Sequence, residues 1–207
     1  MPLMIDLIIG YVHGCSMELK QLLNVVEPTN AVLVGDIFTK GTKPGKVWKL
    51  IKKWKIRAVL GNHDAYLLDN WGKKKLPPTL RRFCKKHPDA KAWLESLPLF
   101  IVENNLIVVH AGIHPLDGIA GTSKDMALRM RRFPMEDPKA PFWYDAGWSG
   151  PQTVVFGHDA LRGLVRREHD GELVAIGLDT GCVYGGKLSG WIPQEDRIVS
   201  VDSPRTD

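Results

Sequence analysis

The chain has 207 residues, of which 44% are hydrophobic, so it is long enough to bury one substantial core. Its net charge is +5, and its three cysteines, Cys15, Cys84 and Cys182, are far apart in the sequence. The odd number of cysteines indicates a reducing compartment and a cytoplasmic protein. No run of 18 apolar residues is present, so the sequence predicts no membrane-spanning helix. We therefore expect one domain over residues 1–207.

The first half alternates predicted strands with predicted helices. Residues 1–9 lack a basic leader and are expected to form a core strand rather than a signal peptide. Ser16 is expected to cap a helix whose apolar stripe is Leu19, Leu22, Leu23 and Val26. A strand over 31–34, a helix over 44–54 and a strand over 57–60 should follow, and then a mostly helical stretch over 64–97 that is broken at Gly72 and Pro77-Pro78.

The second half is richer in strands. Residues 99–102 and 106–109 are predicted to form a hairpin joined by Glu103-Asn104-Asn105. A helix is expected over 123–132, a turn at Asp170-Gly171, and strands over 154–156, 164–167, 173–177 and 198–201. Early β/α alternation followed by antiparallel strands predicts an α/β sandwich, in which two mixed β-sheets pack together and are flanked by helices.

Five strand-like apolar runs each end at glycine with polar side chains beside it. These ends are Gly10-Tyr11-Val12-His13-Gly14, Gly35-Asp36, Gly61-Asn62-His63-Asp64, His110-Ala111-Gly112 and Gly157-His158. A polar residue that follows a strand lies at one edge of a sheet, so the five ends can converge. Carboxylate, carboxamide and imidazole groups together suit one or two divalent metals.

The residue types suggest individual roles within such a site. Asp36 has two oxygens and can bridge two cations, and His63 leaves the backbone in another direction from Asn62, as a general acid would. Asp64 could orient that histidine or cap the next helix. Lys40 is a candidate phosphate contact. Arg129 and Arg131 are further candidates, of which a helix over 123–132 would turn only one inward.

Basic residues cluster between Lys40 and Lys91 and again at 129–132. They form either a solvated helix surface or a surface that attracts a polyanion such as a nucleotide polyphosphate or RNA. The nearby tryptophans are Trp48, Trp54, Trp71 and Trp93, and their spacing favours core packing over base stacking.

Taken in order, the motifs resemble those of the calcineurin-like metallophosphoesterases of the phosphoprotein phosphatase superfamily. That pattern is Gly-Asp-x-His-Gly, Gly-Asp-x-x-Asp-Arg-Gly, Gly-Asn-His-Glu or -Asp, His-Ala-Gly and Gly-His. Two segments, 35–41 and 178–188, are similar to the branch of symmetrical diadenosine tetraphosphate hydrolases and ApaH-like phosphatases. The second segment contains Tyr184, and Leu128-Arg129-Met130-Arg131 resembles an arginine-containing stretch of the same hydrolases.

The resemblance implies a hydrolase with two divalent metal ions, most often Mn, with Fe, Zn, Co and Mg as alternatives. One metal would take the first-motif aspartate, His13 and Asp36, and the other would take Asp36, Asn62, His110 and His158. In that scheme a bridging hydroxide attacks phosphorus and His63 protonates the leaving group. Dinucleoside polyphosphates are the first choice of substrate and phosphoproteins the second, with Lys40, Arg129, Arg131 and Tyr184 as substrate-binding residues.

Three positions depart from the family pattern. Tyr11 stands where the motif has an aspartate, and a neutral phenol is a poor ligand for a hard cation. The first metal site is therefore expected to be weak or empty, and activity impaired. Thr39 replaces the aspartate that partners the acid histidine, and Lys40 replaces an arginine.

The Tyr11 substitution also raises an alternative from another functional class. The chain could be a metal-poor module that binds phosphorylated ligands or RNA ends without turning them over. No pattern in the sequence favours a particular oligomeric state.

Overall fold

The computed structural model describes residues 4–204 and contains two five-stranded sheets. The strands of the first sheet are β1 (Leu7–Ile9), β2 (Ala31–Leu33), β3 (Arg57–Ala58), β9 (Lys187–Ile192) and β10 (Arg197–Asp202). Their order is β10-β9-β1-β2-β3. Strands β1, β2 and β3 are parallel, whereas β9 is antiparallel to both β1 and β10. The predicted first strand thus begins at Leu7, and Met1–Leu3 lie outside the described residues.

The second sheet comes from the middle of the chain. Its strands are β4 (Phe100–Glu103), β5 (Leu106–Val109), β6 (Thr153–Phe156), β7 (Val165–His169) and β8 (Glu172–Gly177). Their order is β4-β5-β6-β8-β7. Strands β5, β6 and β8 are parallel, and the outer strands β4 and β7 are antiparallel to their neighbours. The carboxyl ends of the three parallel strands therefore share one edge.

Helices surround the two sheets. They are α1 (Ser16–Val26), α2 (Pro44–Trp54), α3 (Asn62–Asp69), α4 (Pro78–Lys86), α5 (Pro88–Glu95), α6 (Gly118–Gly121) and α7 (Lys124–Arg129). Helix α1 lies against α2, β9 and β10. Within the described part of the chain, no helix has the length and apolar character needed to cross a membrane.

The core shows how the two sheets pack. Ile8 and Val32 of the first sheet share one buried cluster with Val155 and Ile176 of the second. Leu7 and Ile9 alternate with Ile8 and pack on the helical side instead. A third cluster covers the outer face of the second sheet with Trp143, Val109 and Val154 among its members. The prediction of two mixed sheets packed together and flanked by helices is confirmed.

Several local predictions are also confirmed. Glu103 pairs with Leu106, so the predicted hairpin turns at Asn104-Asn105. Strands β7 and β8 are joined through Asp170-Gly171, which both have positive φ. Trp48 is 4% exposed and lies in the core beside Trp93, at a ring-centroid distance of 5.2 Å.

Two local predictions need correction, and one strand was missed. Ser16 is the first residue of α1 rather than its cap; Cys15 is the N-cap, and the Ser16 hydroxyl is buried without a hydrogen-bond partner among residues 4–204. The helix expected over 123–132 ends at Arg129, because Met130 adopts extended backbone. Strand β9 was not predicted at all, although it lies between β1 and β10.

Candidate active site

The polar ends of the strands meet around one cavity of about 930 Å³. Tyr11 and His13 follow β1, Asp36 follows β2, and His158 follows β6. Together with His63, at the start of α3, all of them line this cavity. The cavity therefore lies where the carboxyl edges of both sheets come together.

Asp36 is the centre of the cluster. One ligand atom each from Asp36, His110 and His158 lies within 4.8 Å of the others. The Asp36 Oδ1 atom is 3.6 Å from His110 Nε2, and its Oδ2 atom is 3.6 Å from His13 Nε2. Each carboxylate oxygen thus faces a different imidazole, as a carboxylate shared by two cations would.

Backbone and hydroxyl contacts orient the two buried imidazoles. His110 Nδ1 lies 2.8 Å from the Val34 carbonyl oxygen. Because a carbonyl only accepts, Nδ1 carries the proton and the Nε2 lone pair is directed towards Asp36 and the Asn62 side chain, whose Oδ1 is 2.9 Å away. His13 Nδ1 is 3.1 Å from the Thr39 hydroxyl oxygen. Contacts of this kind fix the tautomer of metal-binding histidines.

Burial sets the charge of the cluster. It lowers the pKa of His13 to about 2, and burial together with the Arg131 guanidinium lowers the pKa of His158 to about 3. The pKa of His110 is also far below its ordinary value, again because the ring is buried. These imidazoles are neutral at pH 7, which is the form that binds metals. Burial and the nearby Asp64 raise the pKa of Asp36.

The backbone is strained at three cluster residues. His13, Asp36 and His158 have φ angles of 44°, 54° and 71°. Non-glycine residues rarely adopt this left-handed region, and such strain concentrates at functional sites. The sequence carries no signal for it, because none of the three is glycine.

Asp64 fastens the loop that carries Asp36. Its carboxylate accepts hydrogen bonds from the backbone N–H groups of Asp36 at 2.7 Å, Ile37 at 3.0 Å and Gly61 at 3.2 Å. The side chain is fully buried. Of the two roles expected for Asp64, the structure supports capping of α3 and not orientation of His63.

Replacing Asp64 with alanine is expected to destabilise the protein by roughly 3–5 kcal/mol, because it leaves three buried N–H groups without an acceptor. Urea denaturation would measure the change in the free energy of unfolding. Asp64→Asn keeps one acceptor oxygen and should lose distinctly less unfolding free energy. An alanine variant with the wild-type urea midpoint would contradict this role.

Tyr11 fits tightly into the site. Its side chain is 4% exposed and belongs to the cluster between the sheets. The ring stacks on His110 with 4.9 Å between centroids, and its hydroxyl lies 2.8 Å from His110 Nε2. A Cβ atom on Gly157 would overlap the phenol ring, so the glycine provides the room that Tyr11 needs. Burial and Asp36 raise the pKa of Tyr11 well above 10, so the phenol is neutral.

The phenol therefore affects more than one ligand. It fills the position of the first-motif aspartate, and its hydroxyl oxygen also lies against the face of the His110 ring, 2.9 Å from Nδ1 and 2.8 Å from Nε2. The family pattern assigns His110 to the other metal, so the structure extends the expected influence of Tyr11 to both metal positions.

Cationic side chains also line the cavity. Lys40 donates to the Tyr184 hydroxyl at 2.7 Å, and both residues line the cavity. Arg131 donates to the His158 carbonyl oxygen at 3.0 Å and lines the cavity as well. Arg129 is exposed, pairs with Asp125 at 3.3 Å and is not part of the lining. Of the two arginines considered from the sequence, Arg131 is thus the one beside the cluster.

The lining also contains residues for which the sequence predicted no individual role in the site. Arg132 and Arg162 lie over the Phe142 ring, at 4.2 Å and 4.9 Å from its centroid. Asp179 directly follows β8 and Leu178, and burial raises its pKa to about 6. The strand-end pattern that identified Asp36 would also have identified Asp179. Thr39 contacts His13 rather than His63, whose ring lies edge-on to His13 with 5.2 Å between centroids.

Residues 7–177 match the calcineurin-like phosphoesterase family. The chain belongs to this family. It is 38% identical to the symmetrical bis(5'-nucleosyl)-tetraphosphatase of Edwardsiella ictaluri, with 98% of this chain and 97% of the relative covered. It is 30% identical to the enzyme of the same name from Ralstonia nicotianae, with 87% and 86% covered.

Solved structures agree with this assignment. A crystal structure described as that of a candidate diadenosine tetraphosphatase has a TM-score of 0.82 and 35% identity, and the match covers 100% of this chain and 97% of that one. A metallophosphoesterase from Sphaerobacter thermophilus shares the fold, with a TM-score of 0.56 and 18% identity over 96% and 88% of the two chains. The protein is a metallophosphoesterase, and its family implies divalent metal ions.

The donor set fits such ions. Asn62 Oδ1 and the unprotonated Nε2 of His110 approach to 2.9 Å as two acceptors, beside the Asp36 carboxylate. Lone pairs that face each other in a buried site are stabilised by a cation between them. Asp36, His110 and His158 form a possible site for one.

Proposed function

We propose that this chain hydrolyses dinucleoside polyphosphates and cleaves diadenosine tetraphosphate to ADP, acting in the cytoplasm as one domain over residues 1–207. One observation carries the proposal: a cluster of metal-binding side chains and four cationic side chains face the same cavity. The cations are Lys40, Arg131, Arg132 and Arg162. Four positive charges suit a chain of phosphates better than a single phosphate ester. The names of the relatives support the same substrate class.

The proposal uses two divalent cations, with Mn as the first choice and Fe, Zn, Co or Mg as alternatives. Asp36, Asn62, His110 and His158 would hold one. His13 and Asp36 would hold the other weakly, because Tyr11 offers no carboxylate. When bound, the ions supply Lewis-acid stabilisation of phosphoryl charge and lower the pKa of water.

The remaining steps belong to side chains of this protein. Lys40 and Arg131 attract the polyphosphate and hold it against the cluster, with Tyr184 beside Lys40 at the cavity wall. His63 protonates the leaving phosphate oxygen. Burial and the Lys40 charge lower the pKa of His63 to about 4. A bound polyphosphate opposes this shift, because its negative charge favours the imidazolium.

Replacing His63 with glutamine is expected to lower kcat/KM for diadenosine tetraphosphate by about 100-fold, as the loss of a general acid does. Hydrolysis of p-nitrophenyl phosphate should fall much less, because its leaving group departs without a proton. His169→Gln, at an exposed strand position, is the control. Equal losses on both substrates would contradict the acid role.

Product analysis tests the function as a whole. With Mn²⁺ present, diadenosine tetraphosphate should yield ADP alone, faster than a phosphopeptide yields phosphate. ATP with AMP as products, or a preference for the phosphopeptide, would overturn the proposal.

The second candidate function is a phospho-ligand or RNA-end binding module, which the phenol against His110 favours. Tight binding of diadenosine tetraphosphate without turnover would support it, and so would RNA binding with a steep salt dependence.

A further inference from the structure

A second cluster of metal-binding side chains lies outside the cavity lining. It consists of Cys15, Glu18 and Cys182, whose sulfur atoms and one carboxylate oxygen all lie within 4.8 Å of one another. Cys15 caps α1 and Glu18 lies one turn further on, so both side chains share one face of the helix start. Cys182 begins a short 3-10 helix, Cys182–Tyr184, in the segment that follows β8.

We propose that this cluster binds Zn²⁺ or another thiophilic cation. A tetrahedral zinc ion with bonds of about 2.3 Å to sulfur and 2.0–2.2 Å to oxygen places its ligand atoms roughly 3.6–3.8 Å apart. The three atoms lie within 4.8 Å of one another, so an inward shift of at most about 1 Å brings them to that spacing. The Ser203 hydroxyl donates to Glu18 Oε1 at 2.9 Å and holds the carboxylate in place. The fourth position is left to solvent.

The burial of the three residues suits an ion that enters from solvent. Cys182 is 2% exposed, whereas Cys15 and Glu18 are partly exposed. On binding, two S–H bonds break, two sulfur–metal bonds form and two protons leave to water. The two thiolates and the carboxylate then carry three negative charges around a divalent ion.

The donor atoms separate this site from the one in the cavity. Sulfur ligands select zinc, cadmium and similar ions, whereas carboxylate, carboxamide and imidazole ligands also accept manganese. The proposed site is therefore independent of the reaction in the cavity. A bound ion would link the start of α1, two residues after His13, to the 179–186 segment. That segment contributes Asp179 and Tyr184 to the cavity wall.

Titration with Co²⁺ or Cd²⁺ tests the site directly, because thiolate-to-metal charge-transfer absorption arises only from sulfur ligands. The full chain is kept reduced with a phosphine. The band is expected in the wild type and in Cys84→Ser, the matched control, since Cys84 is buried and is not one of the three clustered ligands. Cys15→Ser and Cys182→Ser should each weaken binding at this band by at least about 100-fold.

Glu18→Gln keeps both thiols and should weaken metal binding, measured by the same band, by about 10-fold. This variant decides the matter if the serine variants do not fold, which circular dichroism of the metal-free proteins would reveal. The proposal is overturned if the wild type shows no thiolate band or if Cys15→Ser keeps it. It is also overturned if Cys15 and Cys182 prove to form a disulfide that the phosphine does not reduce.

Discussion

Replacing Tyr11 with aspartate is expected to raise the hydrolysis of diadenosine tetraphosphate by roughly 1,000-fold, the rate equivalent of several kcal/mol of added Lewis-acid stabilisation. Two changes contribute. The new carboxylate supplies a hard oxygen ligand beside His13 and Asp36. Removal of the phenol also opens the face of the His110 ring, where the hydroxyl lies 2.8 Å from Nε2.

Metal analysis should accompany the kinetics. The wild type is expected to bind about one Mn²⁺ per chain and Tyr11→Asp about two. Without metal the variant should be less stable by about 3–5 kcal/mol, because a buried aromatic ring is lost and its cavity remains. The added carboxylate charge near Asp36 lowers the stability of the variant further, and bound metal offsets this loss.

Two further variants separate the causes. Tyr11→Asn creates the same cavity without the charge and should show only the part of the rise that comes from removing the phenol. Tyr11→Phe removes only the hydroxyl contact with His110 and should improve binding of one ion without adding a second. If the aspartate and asparagine variants turn over substrate equally, the carboxylate is not the missing element.

Replacing Asp36 with asparagine is expected to abolish tight metal binding and to lower kcat by at least about 1,000-fold. The carboxamide would keep the size of the side chain and the oxygen that accepts from the His63 backbone N–H at 2.9 Å. It would lose the negative charge that faces His13 and His110. Calorimetric titration with Mn²⁺ and steady-state kinetics would measure both effects.

Asp159→Asn is the matched control, since Asp159 lines the same cavity and pairs loosely with Arg131 at 3.9 Å. It should weaken Mn²⁺ binding and lower kcat by less than about tenfold, as expected for a partly exposed ion pair. If Asp36→Asn binds Mn²⁺ as tightly as this control does, the proposed ligand role is wrong.

Metal affinity is expected to fall as the pH falls. The pKa of Asp36 is raised, so a metal ion displaces a proton from this carboxyl, and affinity should fall about tenfold per pH unit below that pKa. The pKa values of His13 and His158, about 2 and 3, mean that these rings lose no proton near neutral pH. Proton release per bound ion, measured in two buffers, should therefore rise from near zero well above the pKa of Asp36 towards one below it.

Much of the fold could be predicted because the parallel strands are buried on both faces. Leu7–Ile9 and Val154-Val155-Phe156 are continuous apolar runs followed by glycine, and this pattern locates the strand and the residue at its carboxyl end. The site residues follow from the same pattern, since they stand just beyond those ends. Convergence of the two sheets then brings them together.

Strand β9 escaped prediction because its sequence, Lys-Leu-Ser-Gly-Trp-Ile, contains serine and glycine at central positions. The tertiary structure explains why each of these residues occurs in the strand. Gly190 lets Leu7 and the backbone of Ile8 approach closely. Ser189 bonds to the Thr180 and Ser200 hydroxyls at 2.8 Å each.

Contacts between distant segments were equally inaccessible from sequence. Thr39 could be recognised as a departure from the family pattern, but its contact with His13 depends on how two loops fold. The room for the Tyr11 ring depends on Gly157, which is 146 residues further along the chain. Arg132, Phe142 and Arg162, which also line the cavity, come from loops without periodic structure.

The position of β9 between β1 and β10 has a consequence for biosynthesis. A nascent chain that ends before Lys187 has no partner for one side of β1, the strand that leads into His13. Exposed strand edges invite pairing with other chains, so the growing polypeptide is vulnerable until β9 emerges from the ribosome. The strand that leads into His13 therefore gains its support and its protection from aggregation together, when β9 pairs with it.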